Sequence, residues 1–359
     1  MAVSHSVVVS GYGPTVTTFV LTASGELART SECTAAGKAP SYLALSPSRS
    51  NIYVVNESAA GTVTALAVDP LGALSGLGAA CTVASAAGDD PCHVIVHPNG
   101  SLVLVSNYSA GGLSVLRLDA GGGFATSEPV DVALPGAHVH HAVITGAGAF
   151  VLVAVLGADA VYQYCIDATT GKLTPNPAGE RVTLAKGSGP RHICVDEARG
   201  RAFVINELDC TLTAFLYDMA TGVLLGSGAT VSTLPAGVAR PPTGWSTAHV
   251  VTSPDGGFLY GSNRGHDSIV VWRVHGAGSA GAQSEPPRLE AVEWVYCSGR
   301  VRTPRDFAIT GDGKWVLVAC QATDEVLSFA RDSAAGTLTL AGSASVPAGT
   351  QPCCVLVLQ

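Results

Sequence analysis

Three adjoining pieces of the chain decide the fold: Pro190-Arg191-His192-Ile193-Cys194-Val195, the turn Glu197-Ala198-Arg199-Gly200, and Ala202-Phe203-Val204-Ile205-Asn206. Together they read as a β-hairpin whose first strand is opened by a short phrase and whose second ends on Asn. Thr211-Leu212-Thr213-Ala214-Phe215 follows as a third strand, Tyr217 to Gly222 reads as a further turn, and Leu224 begins an outer strand. β-Branched and aromatic residues fill the first three strands, as half-buried pleated surfaces favour. The opening phrase recurs as Pro40-Ser41-Tyr42, Pro91-Cys92-His93, Val139-His140-His141, Thr247-Ala248-His249, Pro304-Arg305-Asp306 and Pro352-Cys353-Cys354. Taken in order along the chain, the third residues of the phrases lie 51, 48, 51, 57, 57 and 48 residues apart. Fourteen residues after each of the first six stands a second marker: Asn56, Asn107, Val155, Asn206, Asn263 and Cys320. A unit of about 50 residues, made of short apolar runs between Gly, Pro and Asp turns, is the signature of a propeller blade. The expectation is an all-β chain: a seven-bladed β-propeller of four-stranded antiparallel blades.

The two ends complement each other. Cys354-Val355-Leu356-Val357 is an inner strand with nothing after it, while His5 to Ser10 and Thr15 to Leu21 are second and third strands with no inner strand before them. Joined, they make blade seven from about 1–34 plus 351–359 and leave no open sheet edge. One propeller domain over 1–359 is expected.

Composition agrees with this reading. The chain has 359 residues, 47% hydrophobic and 13% charged, and its 42 glycines supply the hairpin turns. No run approaches the ~18 uninterrupted apolar residues of a membrane span; Phe150 to Val161 is broken by Gly157 and Asp159. Met1-Ala2-Val3-Ser4-His5 lacks the basic and apolar regions of a signal peptide. The ten scattered cysteines read as buried thiols in a reducing compartment, so the cytoplasm is the expected location. A net charge of −8 argues against nucleic acid as a partner, and nothing points to a membrane.

Antiparallel pairing brings the start of each inner strand beside the end of the second. The middle residues of the phrases are Ser41, Cys92, His140, Arg191, Ala248, Arg305 and Cys353; the residues after the second markers are Glu57, Tyr108, Leu156, Glu207, Arg264 and Gln321. Three arginines, two glutamates and a histidine should thus meet at one mouth of the central channel. An ion-pair network locking blades together is the bland reading of such a set. The functional one is an anion site, because the guanidinium fork matches carboxylate or phosphate. His93, His141, His192 and His249 share one repeat position, where a histidine more often bonds the neighbouring blade than holds a metal. No metal and no cofactor are expected, and no GxSxG elbow or P-loop is present.

Gly189-Pro190-Arg191-His192, Asn206-Glu207-Leu208-Asp209, Ser262-Asn263-Arg264-Gly265-His266-Asp267 and Thr303-Pro304-Arg305 resemble the seven-bladed lactonase family. That family includes propeller-type 6-phosphogluconolactonases and fungal carboxymuconate lactonizing enzymes. The resemblance covers all seven repeats. It implies catalytic roles for Arg191, Glu207, Arg264 and His140, with His138 matching the first histidine of the family's His-x-His phrase. Arg305, His192, His138, Glu57 and Gln321 are expected around the substrate. One departure is Val155-Leu156-Gly157 where the family often has Asp-Leu-Gly, which reads as the loss of a carboxylate near the mouth.

Three functions follow as expectations. The first is hydrolysis of a phosphorylated or carboxylated sugar lactone such as 6-phosphogluconolactone, with His140 or Glu207 activating water. The second is a cycloisomerase closing a muconate-type diacid to a lactone. The third is a non-catalytic propeller used as a binding scaffold. The Gly/Ala/Ser/Pro-rich insert from Gly276 to Arg288 is expected to be a mobile loop.

Overall fold

The computed structural model describes residues 5–82, 90–109, 111–276, 285–297 and 303–358. They form seven antiparallel sheets, each running from an inner strand at the central channel to an outer one. Blade four is Pro190–Asp196, Arg201–Asn206, Thr211–Asp218 and Val223–Ser232. Its third strand runs three residues further than the sequence suggests. Tyr217, expected in a turn, is only 3% exposed and donates its hydroxyl to Thr145 Oγ1 of blade three at 2.7 Å. In blades one and three the outer position is held by two short segments instead of one strand: Leu74–Gly76 with Cys81–Thr82, and Leu173–Pro175 with Arg181–Thr183. The Gly276-to-Arg288 insert lies outside the described residues except at its ends, where His275 pairs with Arg288.

Blade seven is built from both ends of the chain. Its order is Leu27–Cys33, Val16–Leu21, His5–Gly11 and then Pro352–Val357, with Val7 opposite Val357 and Val9 opposite Val355. Gly11 stands where four other blades carry the Asn marker. A Cβ there would collide with the backbone carbonyls of Thr350 and Gln351, so the returning chain permits only glycine.

The core is divided into seven parts. Each pair of neighbouring blades, blade seven with blade one included, encloses its own apolar cluster. Val204 and Phe215 of blade four, for example, pack on Leu152 and Ala154 of blade three. Burial thus lies between sheets, as expected of radially repeated blades.

The repeat phrase has a structural cause. His93 Nδ1 accepts the amide of Ala142, His141 Nδ1 that of Ile193, and Asp306 Oδ2 that of Val355, at 3.4, 3.4 and 2.8 Å. The third residue of these phrases therefore ties its blade to the next one. The Asn markers act within and between hairpins: Asn206 Nδ2 donates to Thr211 and Thr213, and Asn263 Nδ2 to the carbonyl of Thr233. Val155 occupies the same register. Fully buried in the cluster between blades two and three, it lines neither of the two cavities at the mouth, so the carboxylate expected to be missing from the mouth is missing instead from a packing position.

Candidate active site

A β-bulge in each inner strand creates the mouth. Strand register slips between Pro40 and Tyr42, Pro190 and His192, and Pro304 and Asp306, and similarly in the other four blades. The extra residue is the middle one of the phrase: Ser41, Arg191 and Arg305 in those three, and His140 in blade three. A bulge re-aims a side chain out of the alternating pattern, which is how consecutive residues of one strand both come to serve the channel. Left-handed residues precede six of these strands: Ala39, Asp90, His138, Gly189, Thr303 and Gln351.

Glu57, Cys92, Tyr108, His140, Glu207, Arg264 and Arg305 line a cavity of about 220 Å³ at this mouth. A smaller floor cavity of about 10 Å³ shares Glu57, Cys92, His140 and Arg305 and adds Arg191 and His192. Glu207 lies between two guanidiniums, 2.9 Å from Arg191 Nε and 3.1 Å from Arg264 Nη2. The Arg191 Nε contact is off the N–H direction, so it is an attraction of charges and leaves that hydrogen without a straight partner. Backbone carbonyls of blade five hold both arginines: Arg191 Nη1 donates to Ala248 at 2.7 Å and Arg264 Nη2 to Thr247 at 2.6 Å. Burial opposes charge on Glu207, but Arg264, Arg191 and Arg305 outweigh it and hold its carboxyl below the usual range. Burial and the neighbouring Arg191 push Arg264 down to about 10, which leaves it a cation at neutral pH.

On the far side Arg305 Nη2 donates to Tyr12 Oη at 2.9 Å, and Tyr12 donates to Glu57 Oε1 at 3.0 Å. Tyr12 was not singled out in the sequence. Because Gly11 pairs with Pro352, Tyr12 is blade seven's residue after the second strand, equivalent to Glu207. Pairing the N-terminal strand with the last phrase before reading the register would have revealed it. Gln321 accepts from Arg305 at 3.4 Å, and His138 stacks on Tyr108 with ring centres 4.4 Å apart; neither borders the cavity. His192 reaches only the floor, where its Nδ1 lies 2.6 Å from His249 Nδ1.

His140 is 5% exposed and its Nδ1 has no hydrogen-bond partner among the described residues. Burial, then Arg191, Arg305 and Arg264, push its pKa well below the usual value, so the imidazole is neutral at pH 7. A negative charge placed among the same arginines would offset their field and raise the basicity of His140. Among the described residues no group of three or more His, Cys, Asp or Glu side chains is placed to hold a metal ion.

The sequence pattern described as Lactonase, 7-bladed beta-propeller, matches residues 6–357. The chain belongs to this lactonase family. It is 31% identical over 282 residues to the 6-phosphogluconolactonase of Bacillus subtilis, covering 76% of this chain and 74% of that enzyme. A 6-phosphogluconolactonase of Formosa agariphila is 26% identical over 309 residues, 83% of each chain. Among solved structures, the periplasmic gluconolactonase of Pseudomonas aeruginosa superposes over 99% of both chains with a TM-score of 0.85 and 26% identity. The family frame thus coincides with the architecture on which the mouth is built. No helix among the described residues is long and apolar enough to cross a membrane.

Proposed function

We propose that this lactonase-family protein hydrolyses an anionic sugar lactone of the 6-phosphogluconolactone class, and that the mouth of the channel is its active site. One observation carries the reading: among the described residues, Glu207 and Glu57 are the carboxylates that line the two adjoining cavities bordered by Arg191, Arg264 and Arg305. An unpaired buried cation is costly, and a substrate phosphate or carboxylate supplies the missing charge. The volume of about 220 Å³ lies below the roughly 300–1,000 Å³ of drug-sized pockets, which suits a single sugar.

In this reading Arg264 and Arg305 hold the anionic group and Arg191 faces the oxyanion that develops on the lactone carbonyl. His140 takes the proton of the attacking water and returns it to the ring oxygen as the ester bond breaks. Glu207 orients the two arginines that flank it. The relatives' activities support this chemistry, and the ten free cysteines, eight of them buried, support a reducing compartment such as the cytoplasm.

The test is a continuous assay of freshly generated 6-phosphogluconolactone with spontaneous hydrolysis subtracted. Wild type should accelerate ring opening, prefer this substrate to the uncharged gluconolactone, and lose roughly 10²–10³-fold in kcat/KM on Arg264→Ala. Folded protein that accelerates neither lactone but closes a carboxymuconate would replace hydrolysis with cyclisation. Inertness toward all three would remove the enzymatic reading.

A further inference from the structure

We infer that Ser41 and His140 together hold one water molecule in the floor cavity, and that this water is the nucleophile of the hydrolysis proposed above. The chemical half of the inference rests on that proposal; the water site does not.

The floor cavity is about 10 Å³, and Ser41, Cys92, His140, Arg191, Arg305 and Cys353 are among the residues that line it. A water needs about 10–15 Å³ of this measure and two to four polar partners. Two of the lining residues have a buried side-chain atom with no hydrogen-bond partner among the described residues: Ser41 Oγ and His140 Nδ1. Ser41 is 3% exposed and His140 5%, so bulk solvent does not satisfy them. Buried polar atoms left unpaired cost about 1–3 kcal/mol each, and a shared water removes that cost.

The neighbouring blades hold both residues in place. Cys353 Sγ donates to the carbonyl of Ser41 at 3.1 Å, and Cys92 Sγ to the carbonyl of His140 at 3.4 Å. Burial pushes both thiols up, Cys353 to about 12, so they stay protonated and act as donors. The backbones of Ser41 and His140 are therefore pinned, while their side chains keep free hydrogen-bonding capacity.

With its proton on Nε2, His140 accepts one hydrogen of the water at Nδ1 and Ser41 Oγ accepts the other. The lone pairs of the water oxygen then face the larger cavity. In the reaction the water oxygen bonds to the carbonyl carbon and its proton passes to His140 Nδ1. The carbon–ring oxygen bond breaks, the imidazolium protonates the departing oxygen, and the acid product releases its proton to solvent. Ser41 is a positioning residue in this scheme.

Two measurements decide the inference. A high-resolution crystal structure of the unliganded protein should show a water within about 3.2 Å of both Ser41 Oγ and His140 Nδ1; a dry floor overturns the site whatever the activity. Ser41→Ala should lower kcat roughly 10–100-fold while KM stays within twofold and the melting temperature is unchanged. An unaltered kcat in folded Ser41→Ala, with wild type active, overturns the role of the water and leaves the lactonase reading standing. Inactive wild type removes the lactonase reading, and the crystallographic water still decides the site.

Discussion

The two ends of the blades carry networks of the same stoichiometry. At the mouth are Arg191, Arg264 and Arg305 with Glu207 and Glu57; at the opposite face are Arg199, Arg201 and Arg331 with Asp196 and Asp255. Both join blade four to blade five through an arginine on a backbone carbonyl, Arg191 to Ala248 and Arg201 to Gly256. Counting charges does not tell them apart. The difference is where the charge faces. At the lower face Asp255 and Arg199 have side chains 46% and 31% exposed, so water screens them. At the mouth Glu207 is 20% exposed, Arg191 and Arg264 less, and Glu57, Glu207, Arg264 and Arg305 line a cavity the size of a sugar. The same residue types clamp blades together at one end and, in the function proposed above, receive an anion at the other.

The largest effect should come from the layer between the two networks. His93, His140, His141 and His192 are held neutral, chiefly by burial, with His93 pushed down to about 3. An unfolded chain protonates them near pH 6.5 and the folded one does not. Their contribution to stability is therefore complete above pH 6.5 and lost as pH falls toward the folded values, on the order of 1 kcal/mol per histidine per unit. The melting temperature should drop steeply between pH 6.5 and 5, while Glu207, whose pKa is held down, keeps its charge. A flat profile over that interval would mean the folded chain protonates these imidazoles as readily as the unfolded one does.

Next in size, Arg201→Ala should cost about 3–5 kcal/mol in denaturant unfolding, because Arg201 is fully buried and Asp196 loses its inner partner. The lactone turnover of the molecules that remain folded should stay within twofold. Arg264→Ala should show the reverse pattern. If Arg201→Ala abolished turnover in folded protein, the division of labour between the two ends would fail. The smallest effect is assigned to Tyr12→Phe. It removes the hydroxyl joining Arg305 to Glu57 and should raise KM roughly 2–10-fold with little change in kcat, as measured by steady-state kinetics. An unchanged KM would show that Arg305 needs no such support.

The ring was legible because its hydrogen bonds repeat. The phrases around His93, His141 and Asp306 recur since each must reach a backbone amide of the next blade, and the Asn markers recur since each must hold a neighbouring strand or turn. The convergence of Arg191, Glu207, Arg264 and Arg305 followed from that register. Tyr12 escaped because its blade is split between the two ends of the chain and its marker is Gly11. The lower network escaped because Arg201 and Arg331 sit at strand ends where no phrase recurs. The role of Val155 was misread because motif position does not tell a core-facing side chain from a channel-facing one. The bulges that turn Ser41 and His140 toward the channel are an offset in pairing, which a single strand's sequence does not display.

The partner of Val7 is Val357, made 350 positions later. At roughly 5–20 residues per second on a ribosome, the first strand waits on the order of 20–70 seconds for it. Throughout that interval the nascent chain carries an unpaired edge on the strand already emerged and an uncovered apolar face on the last blade completed. Polysomes bring several such chains close together, so the hazard falls on neighbours translated from the same message. Emergence of Pro352–Val357 is then the event that converts a sticky intermediate into an inert ring.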